Sequence, residues 1–194
     1  MWPARAAISA IAAHAMVSPE AIAEAEAEVS DDGDLEAQVM EAFGALERAQ
    51  PALGRWLRVV IAPVSDDTAQ SLGYFLSIVV FRAFDHAFSH RMRPVDDDAL
   101  AAVRATFEWD EELRRGDADE LLESDDLVAI GQPYLMSFVR GQLEAALEPD
   151  EYGDPVEIDL EAIAAVYRAV LIEILALGQA LSSPRGERTS KLLS

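Results

Sequence analysis

Cysteine is absent from this 194-residue chain, which excludes disulfides, thiolate metal sites and cysteine nucleophiles. Asparagine is absent too, and Lys191 is the single lysine. A phosphate-binding loop built around a lysine therefore has no material, and no Gly-x-Ser-x-Gly nucleophile elbow occurs. Three histidines, His14, His86 and His90, leave little for a Ser-His-Asp set. Long apolar runs are missing as well. The most apolar windows, 72–84 and 163–177, are interrupted by Ser77 and Arg82 and by Arg168 and Glu173. Neither approaches the roughly 18 uninterrupted apolar residues of a membrane span. No segment alternates apolar and polar residues between hairpin turns, so no strands are expected.

Positive charge is scarce. Fifteen Lys and Arg stand against 36 Asp and Glu, a formal net charge of -21. Polyanions require Lys/Arg neutralisation, so direct nucleic-acid binding and anionic membrane surfaces are disfavoured. A basic protein partner fits better. The same bias has a compositional reading: abundant alanine, arginine in place of lysine and no asparagine point to a GC-rich bacterial genome, and excess negative charge aids solubility. A cytoplasmic location is expected. The N-terminus, Met1-Trp2-Pro3-Ala4-Arg5 followed by an Ala/Ile run to Ala15, faintly resembles a signal peptide. It lacks a leucine core and reads better as a short amphipathic helix.

What is present is globular and helical. Apolar residues make up 51 % and charged residues 26 %, enough for one packed domain. Helix-start signals recur: Ser18-Pro19, Pro51, the Ser65-Asp66-Asp67 cluster, Pro94 with Asp96, Pro133 and Asp159. An Asp or Ser cap satisfies early backbone N–H groups, and proline suits the first helical position. The expected helices cover 3–15, from Pro19 towards 31–33, 34–49, 51–62, 68–92, 96–109, a short piece at 119–123, 133–148 and 159–181. The fold class is thus an all-α, single-domain helical bundle of about eight or nine helices.

Internal similarity adds organisation. Gln50-Pro51-Ala52-Leu53 matches Gln132-Pro133-Tyr134-Leu135, and the match continues with Trp56 over Phe138, Leu57 over Val139, Arg58 over Arg140 and Ile61 over Leu143. Each copy runs on through an acidic loop into a long apolar helix. The reading is an internal duplication with pseudo-two-fold symmetry: N-terminal helices in 1–33, a first repeat 34–92, a linking helix in 93–116, a second repeat 117–181 and a disordered tail 182–194. The two long helices are expected to pack together as the core. Leu160, Ile163, Tyr167, Val170, Ile174, Leu177 and Leu181 line one stripe of the last helix.

Arg82 and Glu173 are lone charges at matching positions of these apolar helices. A buried charge needs a partner, so they form a candidate pair across the core; the alternative is that both reach solvent. His86 and His90 are one turn apart and form a weak candidate metal site, with Asp85 pointing away. No Glu-x-x-His or His-Glu-x-x-His occurs, and no catalytic, cofactor or committed metal residue is assigned. The acidic runs sit at helix starts and in loops, where capping and solvation explain them.

These features favour a non-enzymatic protein-interaction module, a regulatory, adaptor or immunity-type subunit that binds a partner protein. One alternative is a metal-binding or metal-dependent helical protein using His86 and His90. Another is an acidic nucleic-acid mimic. A homodimer is compatible with the composition.

Overall fold

The computed structural model describes residues 15–29, 35–116, 124–148 and 159–181. Among them lie eight α-helices: α1 (Pro19–Val29), α2 (Leu35–Ala49), α3 (Pro51–Ile61), α4 (Asp67–Phe88), α5 (Asp97–Gly116), α6 (Ser124–Gly131), α7 (Pro133–Leu147) and α8 (Leu160–Gln179). The fold is all-helical. The expected helix at 3–15, the short piece at 119–123 and the tail 182–194 lie outside the described residues.

Local chemistry sets the starts. Ser18 Oγ accepts the Ala21 N–H at 3.3 Å, Asp66 Oδ1 that of Ala69 at 2.8 Å, Asp96 Oδ1 that of Ala99 at 2.7 Å and Asp159 Oδ1 that of Glu161 at 2.9 Å. Each satisfies a donor that the first helical turn leaves without a partner. Proline opens α3 and α7. Three elements differ from expectation: the helix expected over 68–92 ends at Phe88 and continues as a 3₁₀ turn, Ser89–Arg91, and two others change their bounds. The helix after Asp96 runs past Trp109 to Gly116, because Glu and Arg are good helix formers. A helix, α6, precedes the Gln132-Pro133 junction at 124–131, later in the chain than the short piece expected at 119–123.

The two long helices α4 and α8 pack against each other at the centre. Ile78 to Phe81 are buried consecutively in α4, and residues 169–178 are buried without a break in α8. Burial of consecutive residues requires cover on every side. For α4 it comes from α1, α2, α3, α7 and α8; for α8 it comes from α3, α4, α5 and α6. Each fully buried Leu, Ile or Phe contributes about 1.5–3 kcal/mol relative to exposure, which explains why α4 and α8 hold the other helices. Leu160 departs from the expected stripe, being 68 % exposed at the start of α8.

Close approach needs small residues. A Cβ on Gly73 would stand 3.1 Å from Val166 of α8 and 3.2 Å from Ile61 of α3, so glycine permits that three-helix contact. The chain ends of the two core helices also meet: Met92 and Leu181 form an isolated antiparallel bridge, and the Arg93 N–H donates to the Ala180 carbonyl at 3.3 Å. No described helix is long and apolar enough to cross a membrane.

Candidate functional site

The structure does not pair Arg82 with Glu173. Arg82 is half-buried and turns to α1, with Nε 3.9 Å from Glu28 Oε2. Glu173 is fully buried in α8. Neither of its carboxylate oxygens forms a hydrogen bond, and nor does the hydroxyl of buried Ser77 on α4. Burial pushes the Glu173 carboxyl well above the usual carboxylate range, and the Ser77 hydroxyl offsets this only in part. Burial therefore disfavours the ionised form of Glu173. Equivalent sequence positions did not imply contact because α4 is covered by different helices on different sides: Arg82 faces the α1 side.

His86 and His90 do not share one continuous α-helix. The α-helix ends at Phe88 and a 3₁₀ turn, Ser89–Arg91, carries His90 onward. His86 Nε2 lies 3.2 Å from Glu28 Oε1, so the Glu28 carboxylate sits beside both Arg82 and His86. Among the described residues no three metal-ligating side chains are grouped.

Two buried glutamines carry chemistry that the sequence showed only as a repeated tetrapeptide. Gln50 and Gln132 are 2 % and 0 % exposed and occupy the cap positions before Pro51 and Pro133, with φ/ψ of -130/70° and -138/60°. Neither side chain caps its own helix. Gln50 Oε1 accepts the Val95 N–H at 2.7 Å, and its Nε2 donates to the Arg93 carbonyl at 3.2 Å. Gln132 Oε1 accepts the Val17 N–H at 2.9 Å, and its Nε2 donates to the Ala15 carbonyl. Each amide thus grips a carbonyl and the N–H two residues on, in the segment that leads into another helix. Gln50 holds the lead into α5, and Gln132 holds the lead into α1.

An open cleft of about 680 Å³ lies between α2, the first turns of α4 and the end of α7. Val39, Met40, Leu72 and Phe75 give it apolar walls; Asp67 and Tyr74 are among its polar groups. Met40 remains 43 % exposed. One wall is braced from behind. Arg58 donates to Glu47 through Nε at 2.7 Å and Nη2 at 2.6 Å, and its guanidinium lies 5.2 Å from the Phe43 ring centroid. Phe43 in turn meets Tyr74 edge-on at 4.9 Å. The Arg58 hydrogen bonds hold the Glu47 carboxyl below its usual range, and partial burial raises the Tyr74 phenol. At the mouth, Asp66 caps α4 and also accepts the Asp159 N–H at 2.9 Å, tying the starts of α4 and α8 together. These backbone bonds lower the Asp66 carboxyl.

Neither a family model, a curated protein nor a solved structure matches the chain. The geometry must therefore carry the functional reading. A cleft of this size suits one or two apolar anchor groups. Asp67 gives it a carboxylate, and Glu41 and Glu148 are exposed close by in sequence to the lining residues Met40 and Ala146.

Proposed function

We propose that the protein is a non-enzymatic interaction module, of regulatory, adaptor or immunity type, that receives a basic, amphipathic segment of a partner protein in the α2–α4–α7 cleft in the cytoplasm. The observation that carries this reading is the cleft itself: apolar walls with an exposed methionine, and the Asp67 carboxylate in the lining. Methionine adapts to varied apolar surfaces, and an amphipathic helix docks by placing a few spaced apolar side chains into such a depression. The net charge of -21 steers a basic partner towards the chain.

The two-fold repeat belongs with this reading. Matching glutamine clamps support it, and they move its boundaries. A unit of leading segment and four helices covers 15–92 and then 93–181, with each clamp gripping the leading segment of the other unit.

The test is a fluorescence titration with a labelled Leu/Lys helical peptide and a charge-matched scramble. Tighter binding of the helical peptide is expected. It should weaken about tenfold in Met40→Gln, where an anchor contact is lost, and stay unchanged in Ile130→Gln, which alters an exposed residue outside the cleft. Equal affinity for both peptides, or equal affinity of both variants, rules the reading out.

A further inference from the structure

Two adjacent carboxylates at the start of α4 are used differently. Asp66 commits both oxygens to the fold: Oδ1 accepts the Ala69 N–H and Oδ2 the Asp159 N–H, and the Thr68 N–H adds to its hold. Asp67 lines the α2–α4–α7 cleft and is the one charged side chain among its described lining residues. It is exposed, and no described Lys or Arg pairs with it.

The wall around Asp67 offers acceptors and few donors. Thr68 and Ser71 are exposed, and their hydroxyls bond to no other described residue. Gln70 directs its amide N–H groups to the Ala62 and Val64 carbonyls, at 2.8 and 3.1 Å. The Thr68 and Ala69 N–H groups face Asp66. An anion in the cleft would meet a carboxylate and almost no free donor. A cation meets the reverse. The helix start carries roughly half a positive charge, which Asp66 offsets, so the Asp67 charge is left over for a ligand.

Spacing along α4 fixes the kind of cation. Asp67 and Ser71 are four residues apart, and Thr68 and Ser71 three, so the three side chains share one face. A carboxylate flanked by two hydroxyls suits a compact ammonium, with three rotatable donors on a flexible stem, better than the planar fork of a guanidinium. Leu72 and Phe75 continue the same wall, about 7.5 and 12 Å further along the axis at about 1.5 Å per residue. They give an aliphatic stem, and an apolar side chain beyond it, a surface to lie on.

We propose that Asp67 is the specificity residue of the cleft: it selects a partner segment with one lysine whose ammonium rests on Asp67, Thr68 and Ser71 and whose stem lies along Leu72. This rests on the docking reading above and narrows it. A basic partner is not enough; the segment needs a lysine one or two helical turns from the apolar group it places against Phe75. Its other positive charges only steer it towards the chain.

The test uses the full chain and the Leu/Lys helical peptide, with norleucine replacing each lysine in turn. Norleucine keeps the stem and removes the ammonium. One replacement is expected to weaken binding to the wild type by about threefold to fivefold, the size of an exposed ion pair, and to have no effect on binding to Asp67→Asn. The other replacements should act equally on both proteins, and arginine at the sensitive position should bind more weakly than lysine. Asp67→Asn changes an exposed residue and leaves the helix content intact by circular dichroism. Glu161→Gln removes a first-turn carboxylate of α8 outside the described cleft lining and should leave the lysine preference in place. A peptide that fails to bind, or that Met40→Gln does not weaken, takes down the docking reading and this proposal together. A peptide that binds in the cleft, but whose norleucine replacements all act equally on the wild type and Asp67→Asn, overturns the role of Asp67 alone. Loss of the lysine preference in Glu161→Gln does the same.

Discussion

Glu173 of α8 is fully buried, and the Ser77 hydroxyl of α4 is the polar group that acts on it, yet neither side chain completes a hydrogen bond. The folded state thus raises the Glu173 proton affinity above its unfolded value. Where the folded chain binds more protons than the unfolded one, stability falls as pH rises. The full contribution is present below the unfolded value. It declines through the window up to the raised folded value, by at most about 1.4 kcal/mol per pH unit. Glu173→Gln removes the titration and keeps the shape. Denaturant midpoints between pH 5 and 8.5 should show the variant gaining on the wild type steadily with pH. Parallel pH profiles would refute this account.

Arg58 joins a carboxylate to an aromatic wall of the cleft. Its side chain is 42 % exposed and that of Glu47 27 % exposed, so screening limits the ion pair to well under its Coulomb value. Arg58→Ala should cost about 1 kcal/mol, combining the two-bond pair with the stacking on Phe43. Arg58→Lys should recover little of it, since an ammonium reproduces neither the fork nor the planar stack. Thermal unfolding of both variants checks this, and a near-wild-type lysine variant would contradict it.

Helix starts were legible in the sequence because capping is local chemistry. Ser18, Asp66, Asp96 and Asp159 each bond an N–H two or three residues on. The apolar character of α4 and α8 was legible because consecutive burial leaves apolar runs with few interruptions, Ser77 and Arg82 in one and Arg168 and Glu173 in the other. The C-terminal part of α5, and the bounds of α6, were not, because the acidic stretch 110–126 carries little apolar periodicity. The partners of Gln50 and Gln132 were also hidden. Their bonds span 43 to 117 residues, and the repeated Gln-Pro-x-Leu marked the positions without saying what they hold. Arg82 and Glu173 were recognisable as misfits, but which neighbour each one faces is decided by packing around α4.

Two helical glycines should respond in opposite directions. A Cβ on Gly54 would lie 2.8 Å from the Glu47 Cα, and backbone cannot swing aside as a side chain can. Gly54→Ala must push α2 and α3 apart, at a cost of about 1–3 kcal/mol. Gly141 in α7 has nothing within 4 Å of such a Cβ. Gly141→Ala should stabilise by about 0.5–1 kcal/mol through helix propensity and a less flexible unfolded chain. Chemical denaturation gives both signs, and a destabilised Gly141→Ala would show that this face of α7 is covered in solution.

The two clamps should each be worth more than a typical hydrogen bond, because removing the amide leaves a carbonyl and an N–H without partners at a buried site. Gln50→Ala and Gln132→Ala should each cost about 2–4 kcal/mol. The clamps share no bonded group, so the losses should add to within about 0.5 kcal/mol in the double variant. Hydrogen exchange separates their local effects. Gln132→Ala should speed exchange at the Val17 amide and leave Val95 protected, and Gln50→Ala should do the reverse. Gln→Glu at either site is the sharper probe. A carboxylate still accepts the valine N–H but cannot donate to the carbonyl, and it places a charge where the amide was 0–2 % exposed. Glu should therefore be worse than Ala at neutral pH and recover as acid protonates it. A glutamate variant as stable as wild type at pH 7 would show that the donor half of the clamp contributes nothing.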